Sequence, residues 1–70
     1  MQIIVNKQKF VLDAPVKLSE LPGLLGVLYT EEDKRSFSLS DNGRLLSEIP
    51  DEGMAEDGHT YIVFQITAGG

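Results

Sequence analysis

The stretch that decides the fold is TYIVFQI, at residues 60–66, the longest run of β-branched and aromatic residues in the chain. Residues of this kind favour a pleated, half-buried surface, so the run predicts a strand. A second apolar run, QIIVN, lies at residues 2–6, near the other end of the sequence. Because these two runs are the most apolar, we expect them to pair in parallel at the centre of a sheet, with one face buried under a helix.

Shorter patterns between these runs predict the remaining strands. KFVLD at residues 9–13 follows the first run after a short polar break, which is typical of a hairpin. SFSLS at residues 36–40 alternates between polar and apolar residues, so we expect a half-buried strand with Phe37 and Leu39 inward. The dipeptide Asn42-Gly43 then favours a type I′ turn, because both residues accept positive φ, and it leads into a short return strand at 44–46.

A leucine pattern after the first hairpin predicts the helix. Its members recur at the i, i+3, i+4 and i+7 spacing of one helical face: Leu21, Leu24, Leu25 and Leu28. Ser19 stands where an N-cap is expected. A proline and two glycines within the stretch predict a short helix that depends on packing.

The order of elements is therefore ββαββ followed by a final strand. A loop at 50–58 precedes that final strand, and we expect its Met54 to reach the core. This order predicts an α+β fold of the β-grasp type, with a mixed sheet of four to five strands packed on one short helix. We place the domain at residues 1–66 and a flexible C-terminal diglycine tail at residues 67–70.

Composition limits the classes of function. Seventy residues make one domain, and a net charge of −5 disfavours binding to nucleic acid, whose phosphates require Lys and Arg. No apolar run approaches the length that crosses a bilayer, so we expect a cytoplasmic protein without a membrane partner. The absence of cysteine excludes a thiolate nucleophile or metal ligand. His59 is the only histidine and has no second ligand beside it in sequence, so we expect a polar turn residue and no metal or catalytic site.

Over its whole length the sequence resembles the ubiquitin-like superfamily. MQIIV at residues 1–5 resembles the start of ubiquitin. Other motifs resemble the bacterial sulfur carriers of thiamine and molybdopterin synthesis, the ThiS and MoaD type. They are Val5-Asn6, Asn42-Gly43, Asp57-Gly58 and the terminal Ala68-Gly69-Gly70.

The chain also departs from both patterns. The eukaryotic modifier has arginines just before its diglycine, where this chain has Ile66 and Ala68. The carriers have an apolar strand that runs into Asn-Gly, whereas here Ser38, Ser40 and Asp41 intervene. A diverged bacterial ubiquitin-like modifier fits these departures at least as well as a sulfur carrier.

The resemblance implies that the working group is the C-terminal carboxylate on Gly69-Gly70 and that the chain is not an enzyme. An E1-like adenylating enzyme of the ThiF/MoeB type would bind the domain and use ATP to form an acyl-adenylate, while the chain itself binds no cofactor. Glycine suits this role because a backbone without Cβ passes through a narrow channel and accepts either sign of φ.

Three functions from different classes remain open at this stage. We favour a protein modifier whose Gly70 is conjugated to target amines, with an E2-like enzyme and a JAB-type isopeptidase as further partners. The first alternative is a carrier whose C-terminal thiocarboxylate delivers sulfur to a sulfur-accepting synthase. The second is a passive β-grasp interaction module in which the tail is incidental.

A docking face is also predicted from the last strand. If Tyr61 and Val63 face the helix, the residues between them line the opposite face beside the tail, and exposed apolar rows of this kind bind proteins. The opposite alternation, or a covering loop, would remove the patch. The predicted partner-binding residues are Ile4, Ile62, Phe64, Ile66 and Ala68.

Overall fold

The computed structural model describes residues 1–28, 30, 32 and 36–65. Five strands form one mixed sheet in the order β2-β1-β5-β3-β4. They are β1 (Gln2–Val5), β2 (Gln8–Val11), β3 (Phe37–Asp41), β4 (Arg44–Leu46) and β5 (Thr60–Gln65). A single turn of 3-10 helix at Leu18–Glu20 continues into α1 (Leu21–Leu24). The predicted β-grasp fold is therefore confirmed, while the boundary between domain and tail lies outside the described residues.

The first and last strands pair in parallel at the centre of the sheet, as their apolar sequences predicted. The other neighbouring strands pair antiparallel. Ile3 and Val5 of β1 and Tyr61 and Val63 of β5 point into the core, where each is almost fully buried. The side chains of the two central strands therefore form the floor of the core, beneath the helical segment.

Both hairpins are closed by two residues with positive φ. Asn42 and Gly43 have φ of 50° and 87°, which confirms the predicted turn between β3 and β4. Asn6 and Lys7 have φ of 49° and 69° and join β1 to β2. Positive φ at both central residues is the property of the type I′ turn, whose twist matches that of the flanking strands. The second strand is consequently Gln8–Val11, shifted from the predicted 9–13.

The predicted start of the helix is wrong. Ser19 lies inside the 3-10 turn, and no side-chain hydrogen bond caps either Leu18–Glu20 or α1. Instead the preceding chain is held by its backbone, since Leu18 N–H donates to the Gly53 carbonyl at 2.9 Å. The helical segment is therefore anchored by the loop before β5 and not by a local cap.

The helix also ends before Leu28, the last residue of the predicted helical face, and Leu28 is 80% exposed. Gly26 adopts φ of 79° directly after the helix, and its N–H donates to Gly23 O at 3.0 Å. Val27 N–H donates to Pro22 O, also at 3.0 Å. These two bonds are those of a Schellman motif, which ends a helix at a left-handed glycine. The leucine spacing therefore extends to Leu28, beyond Gly26, the glycine that ends the helix.

The loop before β5 buries different residues from the one predicted. Met54 is 45% exposed, while Ile49 and Ala55 lie in the core. Met54 forms an isolated antiparallel bridge with Lys17, and Ala55 N–H donates to Val16 O at 2.9 Å. Because this segment is extended here, neighbouring side chains alternate, so Ala55 points inward and Met54 outward. The described ranges contain no helix long and apolar enough to span a membrane.

One buried polar residue was not predicted. Phe37 and Leu39 of β3 point inward as expected, but Ser38 between them is also almost fully buried. Its hydroxyl donates to the Ser47 carbonyl at 3.1 Å, just beyond the end of β4. Buried hydroxyls need such a partner, so this bond lets a serine occupy a covered position in the sheet.

Candidate functional site

The sheet presents an open face on the side away from the helix. Ile4 is 37% exposed, Ile62 48% and Phe64 37%, whereas Ile3, Val5, Tyr61 and Val63, the alternate residues of the same strands, are buried. Strand alternation therefore turns these three predicted partner-binding residues outward. Their role in binding stays a prediction, and Ile66 and Ala68 lie outside the described residues.

Strand register places two further apolar residues on this face. Ser40 of β3 pairs with both Ile62 and Leu45, so Leu45 of β4 shares the face. At the other edge Val11 of β2 pairs with Gln2, which lies two residues from Ile4 and therefore on the same face of β1. Both Val11 and Leu45 are exposed. We call the five residues Ile4, Val11, Leu45, Ile62 and Phe64 the outer face.

Sequence reasoning missed Val11 and Leu45. Each lies in a short strand of three or four residues, whose alternation is too brief to show which side is buried. The missing information is the register, which places one strand residue opposite another. The detectable signal was the Asn42-Gly43 turn, because a two-residue hairpin fixes Asp41 opposite Arg44 and hence Ser40 opposite Leu45.

The predicted activation residues, Gly69 and Gly70, lie outside the described residues. What the structure does describe is the strand that precedes them. β5 is the central strand, and its final described residue, Gln65, pairs with Phe37 of β3. On the β1 side, the side chain of Asn6 contacts the backbone of Val63 through two hydrogen bonds. The end of β5 is thus held from both sides.

A polar network lies at the opposite end of β5. His59 Nδ1 is 2.8 Å from Asp41 Oδ1, and His59 Nε2 is 3.4 Å from Glu56 Oε2. Ligand atoms of these three residues lie within 4.8 Å of one another, a spacing that could hold a metal ion. No sequence pattern indicated this group, because β3–β5 pairing brings Asp41 beside His59 from a distant position. With Nδ1 in a hydrogen bond, the contacts describe a network that ties the Asp41 end of the sheet to the preceding loop.

Tyr61 extends this network into the core. Its side chain is fully buried, and its hydroxyl accepts a 2.9 Å hydrogen bond from Glu56 N–H. Burial raises the pKa of the Tyr61 hydroxyl above its ordinary value of 10.0, because the phenolate would lose its hydration. The Glu56 N–H bond opposes the rise, while the charges of Asp41 and Glu56 add to it.

Strand order, the parallel pair at the centre and the short helical segment across one face define a protein of the β-grasp fold. A solved structure with the same arrangement is that of the thiamine biosynthesis protein ThiS from Geobacter metallireducens, which superposes with a TM-score of 0.68. The match covers 100% of both chains at 23% sequence identity, a likeness that establishes the fold. No protein-family model matches the sequence, and no curated protein is significantly similar to it.

Proposed function

We propose that this chain is a ThiS-like sulfur carrier, a protein substrate and not an enzyme. An E1-like adenylating enzyme of the ThiF/MoeB type would activate the C-terminal carboxylate of Gly70 in the cytoplasm. Conversion to a thiocarboxylate would then let the chain deliver sulfur to a sulfur-accepting synthase. The observation that carries the proposal is the likeness to ThiS over the full length of both chains.

The geometry of β3 removes one objection to a carrier. Ser38, Ser40 and Asp41 differ from the carrier pattern, in which an apolar strand runs into Asn-Gly. In the structure all three belong to β3, which ends at Asp41 and enters the Asn42-Gly43 turn directly. The departure is therefore one of composition and not of backbone geometry.

The chemistry requires only a reachable carboxylate on the part of this chain. An oxygen of the Gly70 carboxylate attacks the α-phosphorus of ATP, pyrophosphate leaves, and an acyl-adenylate remains. Hydrosulfide supplied by a partner then attacks the acyl carbon; a C–S bond forms, the C–O bond to AMP breaks, AMP leaves, and loss of the proton from sulfur gives the thiocarboxylate. The enzyme contributes alignment and charge stabilisation, and the carrier contributes a fixed position relative to that enzyme.

The outer face is the docking surface that we propose for the activating enzyme. Its apolar side chains lie on a rigid sheet, which suits the buried centre of an interface. The net charge of −5 favours encounter with a basic partner. On the face itself, Lys9 lies opposite Ile4 in the β1–β2 register, so the contact there would include one basic residue of this chain.

Intact-protein mass spectrometry of the chain purified from its own host tests the proposal. Replacement of one terminal oxygen by sulfur is the expected mass change. An adduct that joins Gly70 to the amine of another protein would instead establish a modifier and overturn the carrier. A carboxylate that stays unmodified under all conditions would leave the passive interaction module.

A matched pair of variants tests the docking surface in the same system. Phe64→Ser should raise the KM of ATP-dependent adenylation at least about fivefold, because truncating a central aromatic anchor costs an interface more than ~1 kcal/mol. Leu28→Ser is the control, since Leu28 is exposed but lies outside the sheet. Equal KM values for the two variants would contradict a role for the outer face.

A further inference from the structure

Asn6 stands where the central parallel ladder ends. Ile4 N–H donates to His59 O at 3.1 Å, and Asn6 N–H donates to Tyr61 O at 3.0 Å. The backbone groups that bond to β1 therefore belong to alternate residues, His59 just before β5 and Tyr61 within it, and Val63 is next in the series. With φ of 49°, however, Asn6 turns the backbone away into the β1–β2 hairpin. β1 cannot supply a backbone partner for Val63.

The side chain of Asn6 supplies that partner instead. Val63 N–H donates to Asn6 Oδ1 at 2.7 Å, and Asn6 Nδ2 donates to Val63 O at 2.9 Å. A carboxamide offers one acceptor and one donor, the same pair that a strand residue offers through its backbone. The amide thus adds one step to the ladder after the strand itself has turned away.

Asparagine meets two requirements at this position. It tolerates the left-handed backbone that the hairpin imposes, because its short polar side chain lowers the usual penalty. It also presents donor and acceptor together. Aspartate would keep the acceptor for Val63 N–H but would place a second acceptor against Val63 O. Glycine would keep the turn and remove both bonds.

We propose that Asn6 is a positioning residue for activation of the C-terminal carboxylate. By holding both backbone groups of Val63 on the β1 side, while β3 pairs with the other side of the strand, Asn6 limits movement of the end of β5 that precedes the tail. The inference rests on the proposed function. Reaction rates within an enzyme fall steeply when reacting groups are misplaced by about 1 Å, so a loosened origin for the tail slows the chemical step.

Two variants and one control test this role. Asn6→Gly removes both side-chain bonds and Asn6→Asp removes one, while each accepts the positive φ. Lys7→Gly is the control, because Lys7 is exposed and occupies the neighbouring left-handed position of the same turn. One readout is hydrogen exchange of the Val63 amide. The other is the kcat and KM of adenylation with the E1-like enzyme, followed by ATP–pyrophosphate exchange.

The expected result is local and kinetic. In Asn6→Gly the Val63 amide should exchange at least about tenfold faster, while the Leu39 amide in the core changes far less. Adenylation kcat should fall about tenfold with KM within roughly twofold, since the outer face is intact. Asn6→Asp should show a smaller change of both kinds, and Lys7→Gly should match the wild type.

Several results would overturn the inference. Unchanged exchange at Val63 would show that the amide does not hold β5, and a uniform increase over the whole sheet would show a structural role alone. The two Asn6–Val63 hydrogen bonds form a clamp on β5. Faster exchange at Val63 with unchanged kcat would show that this clamp has no part in activation. A wild-type chain that no adenylating enzyme activates would remove the proposed function and this role together, and Val63 exchange would still report on the clamp itself.

Discussion

Replacing Tyr61 by phenylalanine isolates one buried hydrogen bond at the centre of the sheet. The Tyr61 hydroxyl accepts from Glu56 N–H at 2.9 Å, and the side chain is fully buried. Tyr61→Phe keeps the ring and removes this acceptor. Loss of a buried partner costs about 1–3 kcal/mol, which for a domain of this size lowers Tm by roughly 7–20 °C.

The same substitution changes how stability depends on pH. Burial raises the pKa of Tyr61, so the folded state holds the phenolic proton more tightly than the unfolded state. The contribution of Tyr61 is therefore complete below its ordinary pKa of 10.0 and is lost as the pH rises through the raised value. One proton gives a slope of at most about 1.4 kcal/mol per pH unit. Tyr61→Phe lacks this slope.

Urea unfolding at neutral and alkaline pH measures both effects. Wild type should lose its advantage over Tyr61→Phe as the pH rises above 10. A Tyr29→Phe variant isolates the phenol of Tyr61, because the chain has two tyrosines, and its absorbance titration reports the raised pKa directly. Equal stability of wild type and Tyr61→Phe at neutral pH, or equal alkaline slopes, would refute this reasoning.

Two further predictions concern packing. Gly53→Ala places a Cβ 2.8 Å from Leu18 Cδ1, a terminal methyl group that has to shift, so the variant should lose about 1 kcal/mol in urea unfolding. Adding Leu18→Val, which removes that methyl group, should recover part of the loss; no recovery would contradict the clash. Leu39→Ala should cost about 2–5 kcal/mol because Leu39 is fully buried, whereas Leu28→Ala should change stability by less than about 0.5 kcal/mol. Similar thermal midpoints for these two leucine variants would contradict the burial that separates them.

The strands could be predicted because their residues carry local information. The alternation over residues 60–65 and the Asn42-Gly43 turn each predict a local structure that the fold contains. The extent of the helix could not be predicted, because two local signals compete there. The leucine spacing extends to Leu28, but Gly26 in a left-handed conformation ends the helix first. The leucine spacing predicted the right type of element, while the Leu18–Gly53 bond anchors its start and the left-handed Gly26 ends it.

The candidate site was likewise only partly predictable from the sequence. Ile4, Ile62 and Phe64 could be placed on one face from alternation once the buried side of each strand was assumed. The Asn6–Val63 clamp could not, because it joins residues 57 positions apart through a side chain. The network around His59 likewise depends on β3–β5 register. Contacts of this kind follow from the fold and leave no pattern in nearby sequence.

The position of β5 also determines when the domain can fold during synthesis. β1–β2 and β3–β4 are local hairpins, and β5, the last strand along the chain, is the neighbour that each hairpin shares. An isolated two-stranded hairpin is at best marginally stable in water. A nascent chain that lacks residues 60–65 therefore lacks the strand that joins the two hairpins into one sheet. We expect folding to be completed only when β5 has been synthesised, so an incompletely translated chain should be open to proteases.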